Sequence, residues 1–189
     1  MKSTDIIHWF VFYTKPRFEK RVHEKLLMKG LQSFLPTVKM RRKWSDRYKI
    51  IEEPLFPSYI FAHVNEKGRL EVLKTDGIVR CISFNGKFAT ISDGEIGYLK
   101  RIVQHKQNNI QVSKGLVRGA RVKVLTGSLK GMEGVIEYVQ DERWVVFNVD
   151  IINHSIKIKL SVDEVIKIMD PESTKDELRS NYSYFNIKV

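Results

Sequence analysis

A single cysteine in 189 residues, Cys81, leaves no disulfide framework and no thiolate cage for a metal. The five histidines, His8, His23, His63, His105 and His154, show no ligand spacing, so neither a metal nor a cofactor is expected. No apolar run approaches the roughly 18 residues of a membrane-spanning helix. The first residues pass straight into an alternating aromatic stretch, without a small-residue cleavage site, so a cytoplasmic protein with no membrane partner is expected. No Ser/His/Asp or Cys/His set, paired carboxylates in an apolar setting or H-E-x-x-H stands in the sequence, so no catalytic residue is expected and the chain is read as a non-enzyme.

What is present begins with charge. The apolar fraction of 42% and charged fraction of 29% fit a globular chain long enough for one large domain or two small ones. Of the net +11, residues 1–103 carry +9, with 20 Lys and Arg against 11 Asp and Glu, and residues 104–189 carry +2. Residues 15–49 alone hold 12 basic and 3 acidic side chains, which accounts for the whole +9. Such a stretch suits a phosphate-rich partner, or else it is a solvated face that confers solubility.

The stretch that organises the first half is EEPLFPSYIFAHV at residues 52–64. Pro54 and Pro57 cannot donate inside a ladder, so the strand that follows is entered through a kink, and Phe56 and Tyr59 stand there either at a partner surface or in the core. Before it, HWFVFYT at residues 8–14 reads as a central strand. Thr14 and Pro16 then predict the start of a helix of about four turns that Gly30 ends. Phe18, Val22 and Leu26 form its apolar stripe, and Arg17, Arg21 and Lys25 run beside them. Residues 32–40 predict a strand broken by Pro36. Residues 41–51, RRKWSDRYKII, predict a protruding hairpin that turns at Ser45-Asp46, with Trp44 near its bend. Arg41, Arg42, Lys43 and Arg47 interleaved with Trp and Tyr are what a nucleic-acid-facing finger needs, though a merely exposed hairpin looks alike.

After residue 64 come a weakly helical segment, strands at 78–83 and 87–91 around the Asn85-Gly86 hairpin signal, and a helix capped by Ser92 or Asp93 that runs to about Gln104. The order predicts an α+β fold: an antiparallel sheet flanked by helices in residues 1–103, then a polar flexible linker at 104–115 that leaves two independently tumbling domains. Five short strands at 121–125, 134–139, 144–149, 154–160 and 165–168 predict a small β-barrel in residues 116–170. Residues 171–189 are left as either a disordered tail or a packed arm. Gly119, Gly127, Gly131 and Gly134 fail as a phosphate loop, because no Gly-Lys-Ser/Thr opens a helix, and are expected to supply positive φ in turns instead.

Residues 118–136 resemble a KOW motif: an apolar run, Gly-x-x-x-Gly-x-x-Gly, and a following Val. Together with WFVFYT, the Lys15-Pro16 helix start, EPLFPSYIF and DGIVR in the same order, the chain resembles NusG-type transcription elongation factors from about Trp9 to Ile168. EPLFPSYIF resembles specialised RfaH/UpxY-like antiterminators more than housekeeping NusG, which carries Gly where this chain has Ser58. The resemblance implies an NGN-like first domain that docks on the clamp helices of RNA polymerase through an aromatic hollow of Tyr13, Phe56, Tyr59 and Phe61, while Trp9 and Val11 stay core. It implies that Lys15, Arg17, Arg21 and Lys25 face upstream or non-template DNA. The His-Thr-Thr of RfaH is absent, Asn65-Glu66-Lys67-Gly68 standing there, so the resemblance does not extend to a second clamp contact. An SH3-like KOW barrel would bind a small-subunit ribosomal protein or a termination factor through Ile152, and its β-patterned strands predict a barrel that does not refold as helices. A monomer is expected. The other reading is a KOW-containing RNA-binding or ribosome-associated structural protein, against which the near-neutral second half counts.

Overall fold

The computed structural model describes residues 6–44, 46–105, 110–115, 117–139 and 142–168, and the predicted tail at 171–189 lies outside them. Strand β1 (His8–Thr14) is central, as its aromatic and β-branched composition requires. It pairs antiparallel with β5 (Tyr59–Val64), β6 (Ile78–Cys81) and β9 (Thr90–Ile91), and β5 pairs in turn with β2 (Gln32–Phe34). Side chains alternate across this sheet, which gives its two faces different partners. Phe10, Phe12, Ile60, Ala62 and Val64 pack with Val22 and Leu26 of α1 (Glu19–Met28) and Val72 of α2 (Glu66–Leu73). Trp9, Val11 and Phe61 belong instead to a cluster with Ile96, Leu99 and Ile102 of α3 (Asp93–Gln104).

Helix α1 begins at Glu19, later than Thr14 and Pro16 predict. The reason is local: Arg17 adopts φ +65°, a left-handed conformation that no helix interior tolerates, and Thr14 remains the last residue of β1. Gly30, at φ +71°, does end the helix. The hairpin forms as β3 (Thr37–Lys43) and β4 (Tyr48–Pro54), a separate two-stranded ribbon whose Lys43 faces Tyr48 across the turn. A second, smaller ribbon, β7 (Ser83–Phe84) and β8 (Lys87–Phe88), turns at Asn85-Gly86 as the sequence predicts. Ser92 caps α3 in a reciprocal box with Glu95. Burial pushes the Cys81 thiol up to about 11, which keeps it neutral and unreactive.

The second sheet corrects two expectations. Its strands β11 (Arg121–Val124), β12 (Glu133–Val139), β13 (Glu142–Val149), β14 (His154–Ile158) and β15 (Val165–Lys167) match the five predicted, but β10 (Ile110–Lys114) is a sixth, drawn from the segment read as linker. The path runs β10-β14-β13-β12-β11-β15, and its two end strands do not pair, so the sheet is not closed by a ladder. Gly127 and Gly131 do take positive φ, whereas Gly119 and Gly134 are required by close approach: a Cβ would stand 2.3 Å from the Ile136 carbonyl oxygen and 2.7 Å from that of Val146.

The two halves are also not independent. The Arg101 Nε donates to the Ser128 carbonyl at 2.8 Å, its guanidinium donates to the Lys130 carbonyl as well, and the His105 ring lies 2.9 Å from Ser128 Oγ. The cluster holding Phe61 and α3 continues without a break through Val122, Phe147 and Ile156 of the second sheet and Ile152 of the short 3-10 turn between β13 and β14.

Candidate functional site

Tyr13 and Tyr59, expected to line an aromatic hollow, lie on the sheet face shared with α3. Tyr13 and Tyr59 stand opposite each other across β1 and β5, half-buried, with ring centroids 5.4 Å apart in an edge-to-face arrangement. Arg80, opposite Tyr13 on β6, places its guanidinium 5.8 Å from the Tyr13 ring. The Tyr59 hydroxyl titrates above its ordinary value, chiefly through burial, then through Tyr13, with Arg80 pulling the other way. It is a neutral phenol across the physiological range.

Phe56 and Phe61 differ from the expected exposed lining, because both are fully buried. The kink explains Phe56. Ser58 takes φ +66°, the left-handed region in which glycine is at ease, and this turn directs Pro57 to solvent and Phe56 inward. The strained turn is held from both sides: the Ser58 N–H donates to the buried Glu19 carboxylate at 2.7 Å, and its carbonyl accepts from the Thr14 N–H at 2.9 Å. Glu19 thus joins the first turn of α1 to the kink. Its only sequence signal is one acid in a basic run.

What covers the hollow comes from the second sheet. The buried His154 ring lies 5.7 Å from Phe56 and 5.6 Å from Tyr59, edge-to-face with both. Its Nδ1–H donates to the Ile152 carbonyl at 2.6 Å, which fixes the tautomer and ring plane. Ile152 itself is buried, in the same cluster as Phe56, so it is not offered at a free surface as the resemblance implies. Nothing in the sequence singles out His154, because its role depends on a partner about a hundred residues away in the chain.

The basic residues are solvent-facing and grouped. Lys15, Arg17 and Arg21 are exposed and Lys25 is half-buried. Lys15 Nζ and the Arg21 guanidinium stand 5.7 and 5.9 Å from the Phe18 ring, on either side of it in sequence. Lys20 Nζ, also on α1, donates to the Glu52 carbonyl at 2.7 Å and ties the helix to the base of the hairpin. At the hairpin tip Lys43 and Arg47 are exposed, and Trp44, 49% exposed, has Lys49 Nζ 5.4 Å from its ring. Arg41 and Arg42 lie on β3, and their side chains fall outside the described residues. Among the described residues no cluster of His, Cys, Asp or Glu could hold a metal ion, and no helix is long and apolar enough to cross a membrane.

Residues 7–100 match the family model NusG, described as transcription termination factor nusG. The transcription termination/antitermination protein NusG of Lactococcus lactis is 22% identical over 176 residues, covering 83% of this chain and 91% of that one. A solved structure of NusG from Thermotoga maritima, concerned with its domain interaction, superposes with a TM-score of 0.52 at 22% identity and covers 87% of this chain and 98% of its own. With a family match over residues 7–100, a relative aligned along most of its length and a shared fold, residues 7–100 are a NusG-family domain in a chain similar along most of its length to NusG transcription termination/antitermination factors, a family of non-enzymatic proteins.

Proposed function

We propose that the protein is an elongation and antitermination factor of the RfaH/UpxY-like kind, which binds the clamp helices of RNA polymerase and suppresses pausing or termination. The observation that carries this is the pairing of Tyr13 and Tyr59 on one sheet face, flanked by Arg80, in a domain of this family. Phe56 and Phe61 lie behind that pair as its support, and a face of two half-buried aromatics beside a cation fits a protein-binding hot spot. His154 covers it in the arrangement described above, so docking requires the second sheet to move away. In this reading residues 1–103 act as the NGN-like domain, residues 116–170 as the KOW barrel, and β10 joins the barrel by pairing with β14. Release of the second sheet would also free Ile152 for a ribosomal protein or a termination factor. The protein works as a cytoplasmic monomer.

Lys15, Arg17, Arg21 and Lys25, with Arg41, Arg42, Lys43 and Arg47 on the hairpin, hold upstream duplex or displaced non-template DNA against the polymerase. Contacts of this kind neutralise phosphates and carry little sequence information. Arg21→Glu with Lys25→Glu is expected to weaken pause suppression in a transcription assay while polymerase co-purification stays near wild type, because the ridge and the tyrosine pair are separate surfaces. Unchanged pausing would reduce the ridge to a solvated charged face.

A further inference from the structure

Within the basic ridge, one group has the wrong sign for holding phosphate. Asp76 accepts from Lys25 Nζ at 2.8 Å and lies 3.9 Å from Lys15 Nζ, although its own side chain is 61% exposed. The backbone fixes its place. Gly77, at φ +99°, approaches α1 so closely that a Cβ would stand 2.7 Å from Val22 Cγ2 and 2.9 Å from Phe18 Cδ1. The Lys15 N–H donates to the Gly77 carbonyl at 2.8 Å, and the Ile78 N–H to that of the buried Thr75 at 3.0 Å. An acid delivered by so constrained a loop stands between two ridge cations by construction. The Lys25 hydrogen bond and then the Lys25 charge hold its carboxyl below the ordinary carboxylate range against desolvation, with Lys15 and Arg21 adding less.

We propose that Asp76 is a built-in competitor for nucleic-acid phosphate: its carboxylate occupies the position between Lys15 and Lys25 that a phosphodiester oxygen takes when DNA binds. This rests on the reading of the ridge as DNA-facing. Carboxylate and phosphodiester each carry one negative charge, so the exchange is balanced in charge, and an exposed ion pair is weak enough to be displaced. Its consequence is discrimination. DNA met in free solution must displace Asp76 for a small net gain, whereas DNA already positioned by a bound polymerase does so without a further search. The exchange also reduces counterion release, since Asp76 regains mobile cations as the phosphate releases its own.

The test measures binding of the full chain to a single-stranded and a duplex oligonucleotide of mixed sequence across a salt series. Asp76→Asn keeps the shape and is expected to bind both about three-fold tighter at low salt, the size of one exposed ion pair. Its salt slope should steepen by up to about 0.7 on the single strand and 0.9 on the duplex, one phosphate more of counterion release. Glu24→Gln, which removes the same charge from α1 beside the ridge, should move the affinity less and leave the slope alone. Adding Lys25→Gln to Asp76→Asn should cancel the gain. Equal gains from Asp76→Asn and Glu24→Gln would mean that Asp76 is one unit of net charge and no more. If Asp76→Asn changes nothing while Arg21→Glu with Lys25→Glu abolishes binding, the ridge stands and the competitor falls. If the double reversal also leaves binding untouched, the DNA-facing reading fails and this one with it.

Discussion

Tyr13→Ala combined with Tyr59→Ala in the full chain is expected to abolish co-purification with core RNA polymerase and to leave the melting curve close to wild type. Aromatic hot spots contribute about 2 kcal/mol or more each when truncated, about 30-fold in affinity per ring. Both rings are half-buried at the rim of the shared cluster, so their loss removes contact area without hollowing the core. Phe56→Ala is a poorer probe. Phe56 is fully buried between the kink and His154, and such a truncation costs about 3–5 kcal/mol of stability by itself, which would confuse unfolding with lost docking. A folded double-tyrosine variant that binds as wild type does would show that the polymerase contacts another face.

The second large effect has the opposite sign. Arg101→Glu is expected to raise polymerase affinity by up to about ten-fold and to shorten the rotational correlation times of the two halves, as read by backbone relaxation. Arg101 donates to two carbonyl oxygens of the Ser128–Lys130 turn, and glutamate would set a carboxylate against those same oxygens. Charge-assisted hydrogen bonds contribute about 1.5–3 kcal/mol, and at this partly exposed position about 1.4 kcal/mol is a fair share, a ten-fold change in the ratio of closed to open molecules. When only the open molecule binds, the apparent affinity scales with its fraction. Unchanged affinity despite shortened correlation times would show that the second sheet does not cover the docking face.

The residues differ in how far their sequence announced them. β1, the Asn85-Gly86 turn and the Ser92 cap were legible because each is a local preference: β-branched and aromatic content, tolerance of positive φ, and an oxygen placed for an orphan N–H. The start of α1 was not, since the left-handed Arg17 is imposed by the link from β1 and by the hold of Glu19 on Ser58. β10 escaped notice because its partner β14 lies about forty residues on, and polar residues flank Ile110 and Val112. For the site, Tyr13 and Tyr59 were named through the family resemblance, and their meeting on one sheet face is fixed by the register of β1 and β5. That Phe56 turns inward, that His154 covers it and that Asp76 sits within the ridge are tertiary facts, set by segments meeting across the chain.

The central claim is that the Tyr13 and Tyr59 face is shared in turn by the second sheet and the polymerase. A photo-cross-linking amino acid in place of Tyr59 tests it most directly. In the free protein it should cross-link within the chain, around His154, whose ring lies 5.6 Å from Tyr59. As core RNA polymerase is added to saturation, that product should vanish and be replaced by a cross-link to the largest catalytic subunit. An intramolecular cross-link that persists undiminished while the protein stays bound to polymerase would contradict the account.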